Sequence, residues 1–156
     1  MLEGKQQLPL RFDAAHKSDV RTQFAALCYR LRRGRPEILL ITSRGSRRWI
    51  VPKGWPIENM TPAQAALREA WEEAGVRGRA IEHCLGLFSY AKEIGPDRTL
   101  PCITLVYPVK VKSLAGSYPE SHQRQRKWFT RKKAAARVTE PELAHIIRAF
   151  DPSARK

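Results

Sequence analysis

The chain has 156 residues, 42% of them apolar. That is enough for one domain with a real core and too apolar for a disordered chain. Lys and Arg number 29 against 15 Asp and Glu, a formal net charge of +14, so the expected partner is anionic: nucleic acid, a membrane surface or a small polyphosphate. No apolar run approaches the roughly 18–20 residues that span a bilayer, and Met1–Gln7 lacks the apolar segment of a secretory signal; a cytoplasmic protein without a membrane partner is expected.

Residues 1–20 are weakly patterned and read as an irregular lead-in. Gln23–Leu31 is apolar and reads as a strand, and Arg32–Pro36 as a turn. Glu37–Thr42, built around Ile38, Leu39, Leu40 and Ile41, reads as a buried strand. Trp49–Val51 is a short third strand that Pro52 ends. Thr61, Pro62 and Gln64 then form a capping box with proline at the first helical position, which predicts a helix over 62–74 stopped by Gly75. Ala63, Ala66, Leu67, Ala70, Trp71 and Ala74 share one arc of that helix; Glu69, Glu72 and Glu73 share another. Ala80–Tyr90 and Cys102–Val111 read as strands joined by a polar loop over 92–98. Lys127–Phe129 is a further short strand. Thr139–Glu142 repeats the capping-box pattern before a helix with Leu143, Ile146, Ile147 and Phe150 on one face. Strands, helix, strands, helix is the order of an α/β fold, a mixed sheet covered by helices on its faces. No repeat or linker divides it, so one domain is expected over 21–150 with a tail over 151–156.

Cys28, Cys84 and Cys102 are odd in number and none is in a Cys-x-x-Cys pair, so buried reduced thiols are expected. The four histidines share no metal-ligand spacing. Trp49, Trp71 and Trp128 read as core anchors, whereas Trp55 stands in the loop before the first helix. Glu69, Glu72 and Glu73 carry more chemistry: at i, i+3 and i+4 their carboxylates converge and repel unless a cation sits among them, and hard oxygens gathered this way suit Mg²⁺ or Mn²⁺. Arg68, four residues before Glu72, can hold one carboxylate but not three. Two basic runs accompany the acids. Eight basic residues against Glu37 alone lie between Arg30 and Lys53, and seven with no acid between Ser121 and Arg137. Solvated faces would explain them, and so would phosphate binding.

The segment from Gly54 to Val76 resembles the Nudix box, the loop–helix–loop signature of Nudix hydrolases. Gly54, Arg68, Glu69, Ala70, Glu72, Glu73, Gly75 and Val76 fall at the box offsets, and Met60 stands where the first box Glu is expected. The stretch 21–54 is similar to the diphosphoinositol-polyphosphate phosphohydrolases, a branch that also cleaves diadenosine polyphosphates; Pro52-Lys53-Gly54 looks more like the diadenosine tetraphosphate hydrolases. The resemblance implies an α/β/α sandwich and a metal-dependent hydrolase, with Mg²⁺ or Mn²⁺ as cofactor, that opens a pyrophosphate bond in a small, phosphate-rich substrate. It implies metal ligands Glu69 and Glu73, with Glu72 as a further ligand and the base, Arg68 as a catalytic partner, and a later-loop glutamate, Glu93 or Glu120, as an alternative base. It implies phosphate contacts from Arg44, Arg48, Lys53, Gly54, Arg98, Arg124 and Arg126. An RNA 5′-end pyrophosphohydrolase, and a weakly catalytic binding protein motivated by Met60, are the alternatives.

Overall fold

The computed structural model describes residues 21–154; the predicted lead-in over 1–20 and the last two residues of the tail lie outside them. Eight strands, in chain order β1 (Arg21–Arg32), β2 (Arg35–Thr42), β3 (Trp49–Ile50), β4 (Lys53–Gly54), β5 (Val76–Ala80), β6 (Gly86–Gly95), β7 (Arg98–Leu114) and β8 (Arg126–Thr130), form one sheet in the spatial order β3-β2-β1-β7-β5, with β4 paired to β1, β6 to β7 and β8 to β2. The sheet is mixed, as predicted: β1 runs parallel to β7, and every other pair is antiparallel. Helix α1 (Pro62–Ala74) covers one face; α2 (Arg131–Arg137) and α3 (Pro141–Ala149) cover the other.

β1 alternates its buried side chains between the faces, which only a central strand does. Ala25, Leu27 and Tyr29 pack with Ile38, Leu40, Phe88, Leu143 and Ile147 under α2 and α3, while Ala26 and Cys28 pack with Leu39, Ile41 and Val109 under α1. α1 sits close because its inner face is alanine: Ala63, Ala66, Ala70 and Ala74 are fully buried. Leu67 and Trp71 flank them, partly buried. The α1 ends match the sequence reading to the residue. Thr61 Oγ1 accepts from the Gln64 N–H, the Gln64 side chain accepts from the Thr61 N–H, and Gly75 closes the helix at φ 69°.

Several expectations are corrected. The strand predicted over Ala80–Tyr90 is two strands, because β5 and β6 pair with different stretches of the same edge of β7 and the chain must leave the sheet between them. The loop expected over 92–98 is instead the end of a β-hairpin: β6 continues to Gly95 and β7 begins at Arg98, with Asp97 at φ 58° in the turn. β4 and α2 were not anticipated. Two residues are too few for a periodic signal, and α2 mixes four charges with three alanines. The second capping box does not form. With Pro141 opening α3, the N-cap falls on Glu140, which makes no side-chain cap bond, and Thr139 Oγ1 donates to the Glu140 carboxylate. Cys28 and Cys102 are buried, with the Cys28 thiol pushed up by burial, but Cys84 is exposed in the β5–β6 connection, and all three are free. Trp49, Trp71 and Trp128 are half-buried: Trp49 packs edge-on against Phe129, and the other two lie under the Arg77 and Arg30 guanidinia.

Candidate active site

The alanine face brings α1 down onto β4, so Glu69 and Glu73, one turn apart, land against the backbone of Lys53 and Gly54. Gly54 leaves room for this approach: a Cβ there would meet the Glu69 carboxyl group and push it aside. Glu73 is 7% exposed, and its Oε1 accepts from the Lys53 N–H at 3.3 Å. Burial pushes the Glu73 carboxyl up to about 8, against the pull of Arg124 and with the push of Glu69. Burial also raises Glu69, aided by the charges of Glu72 and Glu120, while a hydrogen bond with Glu73 opposes the rise. Two carboxyls this close do not both ionise without positive charge between them, and oxygen donors of this kind favour a hard divalent cation. The pair therefore fits such an ion. Among the described residues no three His, Cys, Asp or Glu side chains already close into a cage. Glu72 stands beside the pair, side chain 43% exposed, in a loose 4.0 Å ion pair with Arg68.

The connection between β7 and β8 is tied to the C-terminal end of α1, where helix carbonyls lack internal partners. The Glu120 N–H donates to the Glu72 carbonyl, the Ala115 N–H to that of Gly75, and Arg126 Nη1 to that of Ala74 at 2.7 Å. Arg124 then reaches inward. Its side chain is 7% exposed and holds the Glu120 carboxylate through Nε at 2.8 Å, the Thr42 carbonyl through Nη1 at 3.1 Å, and Glu73 through Nη2 at 3.9 Å.

A cleft of about 450 Å³ opens between the loop after β2, β4 and β6, lined by Arg44, Arg48, Lys53, Lys92 and Arg124, with Tyr90 and Glu93. Four of the cations named from sequence thus converge. Arg44 donates to Gln123, Arg48 to Thr139, and the Lys53 ammonium lies 5.0 Å from the Tyr90 ring centroid. Burial lowers the Lys53 pKa and Glu73 opposes that shift. Arg98, exposed where β7 begins, does not line this cleft, and neither does Arg126, which stacks on Tyr118. Lys92 was missed because its segment was read as loop; on a strand it shares a face with Tyr90 two residues earlier. Glu93 lines the cleft, whereas Glu120 belongs to the Glu69–Glu73 group and is held by Arg124. Met60 is exposed, and the charged groups acting on Glu69 and Glu73 come from positions 53, 68, 72, 120 and 124 instead.

The NUDIX domain model matches residues 21–150. Nudix hydrolase 16, mitochondrial, from Arabidopsis thaliana is 33% identical over 114 residues, covering 71% of this chain and 63% of that protein. Human diphosphoinositol polyphosphate phosphohydrolase 3-beta is 38% identical over 107 residues, covering 67% of this chain and 61% of its own. The chain thus spans under two thirds of the length of these curated relatives. Among solved structures, the Ap4A hydrolase of C. elegans superposes with a TM-score of 0.59 at 22% identity, over 83% of this chain and 94% of that one, a likeness of fold. No helix among the described residues is long and apolar enough to cross a membrane.

Proposed function

The chain belongs to the NUDIX-domain family, and from that premise we propose that it is a Mg²⁺- or Mn²⁺-dependent pyrophosphohydrolase of a small phosphate-rich substrate, a dinucleoside polyphosphate or a diphosphoinositol polyphosphate, acting in the cytoplasm. The observation that carries the reading is the juxtaposition of the crowded Glu69–Glu73 pair with a cleft lined by five cations. One group needs positive charge and the other needs negative charge, and a metal-bound polyphosphate supplies both. The names of the human and C. elegans relatives point the same way.

On this reading Glu69 and Glu73 hold the cation, with Glu72 able to join them. A divalent ion there neutralises phosphate oxygens and acidifies water. Arg44 and Arg48 grip phosphate oxygens with planar forks; Lys53 and Lys92 add point charge. Glu72 takes the proton of the attacking water, its exposure and loose hold on Arg68 leaving lone pairs free. Glu120, closed by Arg124 at 2.8 Å, is less available for that role. Arg124 keeps Glu73 from drifting off the site. Arg98 and Arg126 stand outside the cleft, and Arg126 holds the Ala74 carbonyl.

The test is a panel of dinucleoside polyphosphates, diphosphoinositol polyphosphates, ADP-ribose and triphosphate-ended RNA, run with Mg²⁺ and with Mn²⁺ on the parent and on Glu72→Gln. The expected result is turnover of the first two classes, lower by about 10²–10⁴-fold in the variant. A best substrate with only two phosphates refutes the substrate assignment, and a Gln variant at the parental rate refutes the base.

A further inference from the structure

A second basic cleft lies at the other end of β2, and the reading above makes no use of it. It has a volume of about 810 Å³ and is lined by Arg32, Arg33, Arg35, Arg131 and Lys132, with Glu37 as its acid. Glu37 is already taken, since Arg30 holds it through Nε and Nη2, both at 2.8 Å. Arg131 is anchored on the Phe150 carbonyl. Arg32, Arg33, Arg35 and Lys132 are exposed, and none forms an ion pair with a described residue. Five cations around one neutralised acid repel one another, so the cleft favours a ligand with several negative charges.

The backbone adds an independent observation. Arg32 pairs with Arg35 across a two-residue turn, with Arg33 at φ 54° and Gly34 at φ 78°. Hairpin turns with two positive φ angles favour Asn-Gly, because a Cβ crowds the backbone there and Asn offsets this by local hydrogen bonding. Arginine in that position works against the local fold, and local rules are broken where a function needs the side chain.

The spacing says what kind of anion. β2 runs seven residue steps from Arg35 to Thr42, whose carbonyl Arg124 grips, so the two clefts are roughly 23 Å apart at ~3.3 Å per residue. A substrate of a few phosphates reaches one cleft or the other. Strand β8 pairs along the edge of β2 away from β1, between the two clefts, with exposed Lys127 opposite Leu40, nearer the first cleft. A chain of phosphodiesters several nucleotides long spans that distance.

We propose that the hairpin cleft formed by Arg32, Arg33, Arg35, Arg131 and Lys132 docks the phosphodiester backbone of a single-stranded polynucleotide that runs from it along β8 toward the first cleft. The contacts are Arg and Lys to phosphate, so binding is insensitive to base sequence and strongly dependent on salt. The experiment measures binding of a fluorescent 20-nucleotide oligouridine RNA by anisotropy over a salt series. The variant is Arg33→Asn with Arg35→Ser and Lys132→Ser, three exposed positions, the first of which suits its turn better than arginine. Each phosphate contact contributes about −0.7 to the slope of log K against log salt. The variant slope should be shallower by about 2, and its affinity about 100-fold lower in 0.1 M salt. Its turnover of the best small substrate and its unfolding midpoint should not fall. Parental RNA affinity in the variant refutes the site. Displacement of RNA by tripolyphosphate as effectively as by unlabelled RNA at equal phosphate refutes the polynucleotide and leaves a small-anion site.

Discussion

Replacing Arg124 by alanine separates a scaffolding role from substrate binding. Its guanidinium meets Glu120 at 2.8 Å, the Thr42 carbonyl at 3.1 Å and Glu73 at 3.9 Å, and its side chain is 7% exposed. Removing it leaves the Glu120 carboxylate and the Thr42 carbonyl without their donor, while Glu73, protonated below a pKa of about 8, is left with no bare charge. Losing the hydrogen bonds of a buried guanidinium costs about 1.5–3 kcal/mol, a large share of the roughly 5–15 kcal/mol that holds a domain of this size together. The assay is urea unfolding followed by tryptophan fluorescence, in chelator so that no metal ion contributes. With a slope of about 2 kcal/mol per M, the midpoint should fall by roughly 1 M. Arg124→Lys should recover only part of this, because one ammonium cannot serve three acceptors set at different angles. A loss under about 1 kcal/mol, together with a rise in KM confined to long-phosphate substrates, would show that Arg124 is a substrate ligand and that its bridge between β2, α1 and the β7–β8 connection is incidental.

Glu73 makes stability depend on pH in a direction opposite to the usual carboxylate. Its folded pKa of about 8 lies above the ordinary 4.5, so between those values the native state binds the proton more tightly than the unfolded chain does. Its contribution is fully present below pH 4.5 and is lost as pH rises through 8. Thermal unfolding in chelator should show that decline, and added Mg²⁺ should oppose it at pH 8 by binding the ionised pair; a parallel pH profile for Glu73→Gln would refute the assignment. Gly54→Ala places a methyl where the Glu69 carboxylate lies, so it should abolish most of the turnover and weaken Mg²⁺ binding measured calorimetrically while the fold survives. Parental Mg²⁺ affinity in that variant would mean that Glu69 is no ligand.

The chain's own order of residues determined the helix that carries the acids. A capping box at Thr61, proline at position 62 and glycine at position 75 act within a few residues of themselves, and the spacing of Glu69, Glu72 and Glu73 follows from helix geometry alone. The mixed sheet was legible for a similar reason, since buried strands read as apolar runs. The division of β5 from β6 was not, because it depends on which stretches of β7 each strand pairs with, a contact made far along the chain. Nor was the inequality among the arginines. Arg44, Arg48 and Arg124 look alike in sequence to Arg98 and Arg126, yet three face one cleft, one lies at a hairpin end and one caps a helix. Burial sets the Glu73 pKa and the partners of Arg124, and burial is a property of the packed layers: α1 approaches β4 closely enough to enclose the pair only because both elements are already seated on β1. Short-range physics specified the parts of the site, and long-range packing decided which of them meet.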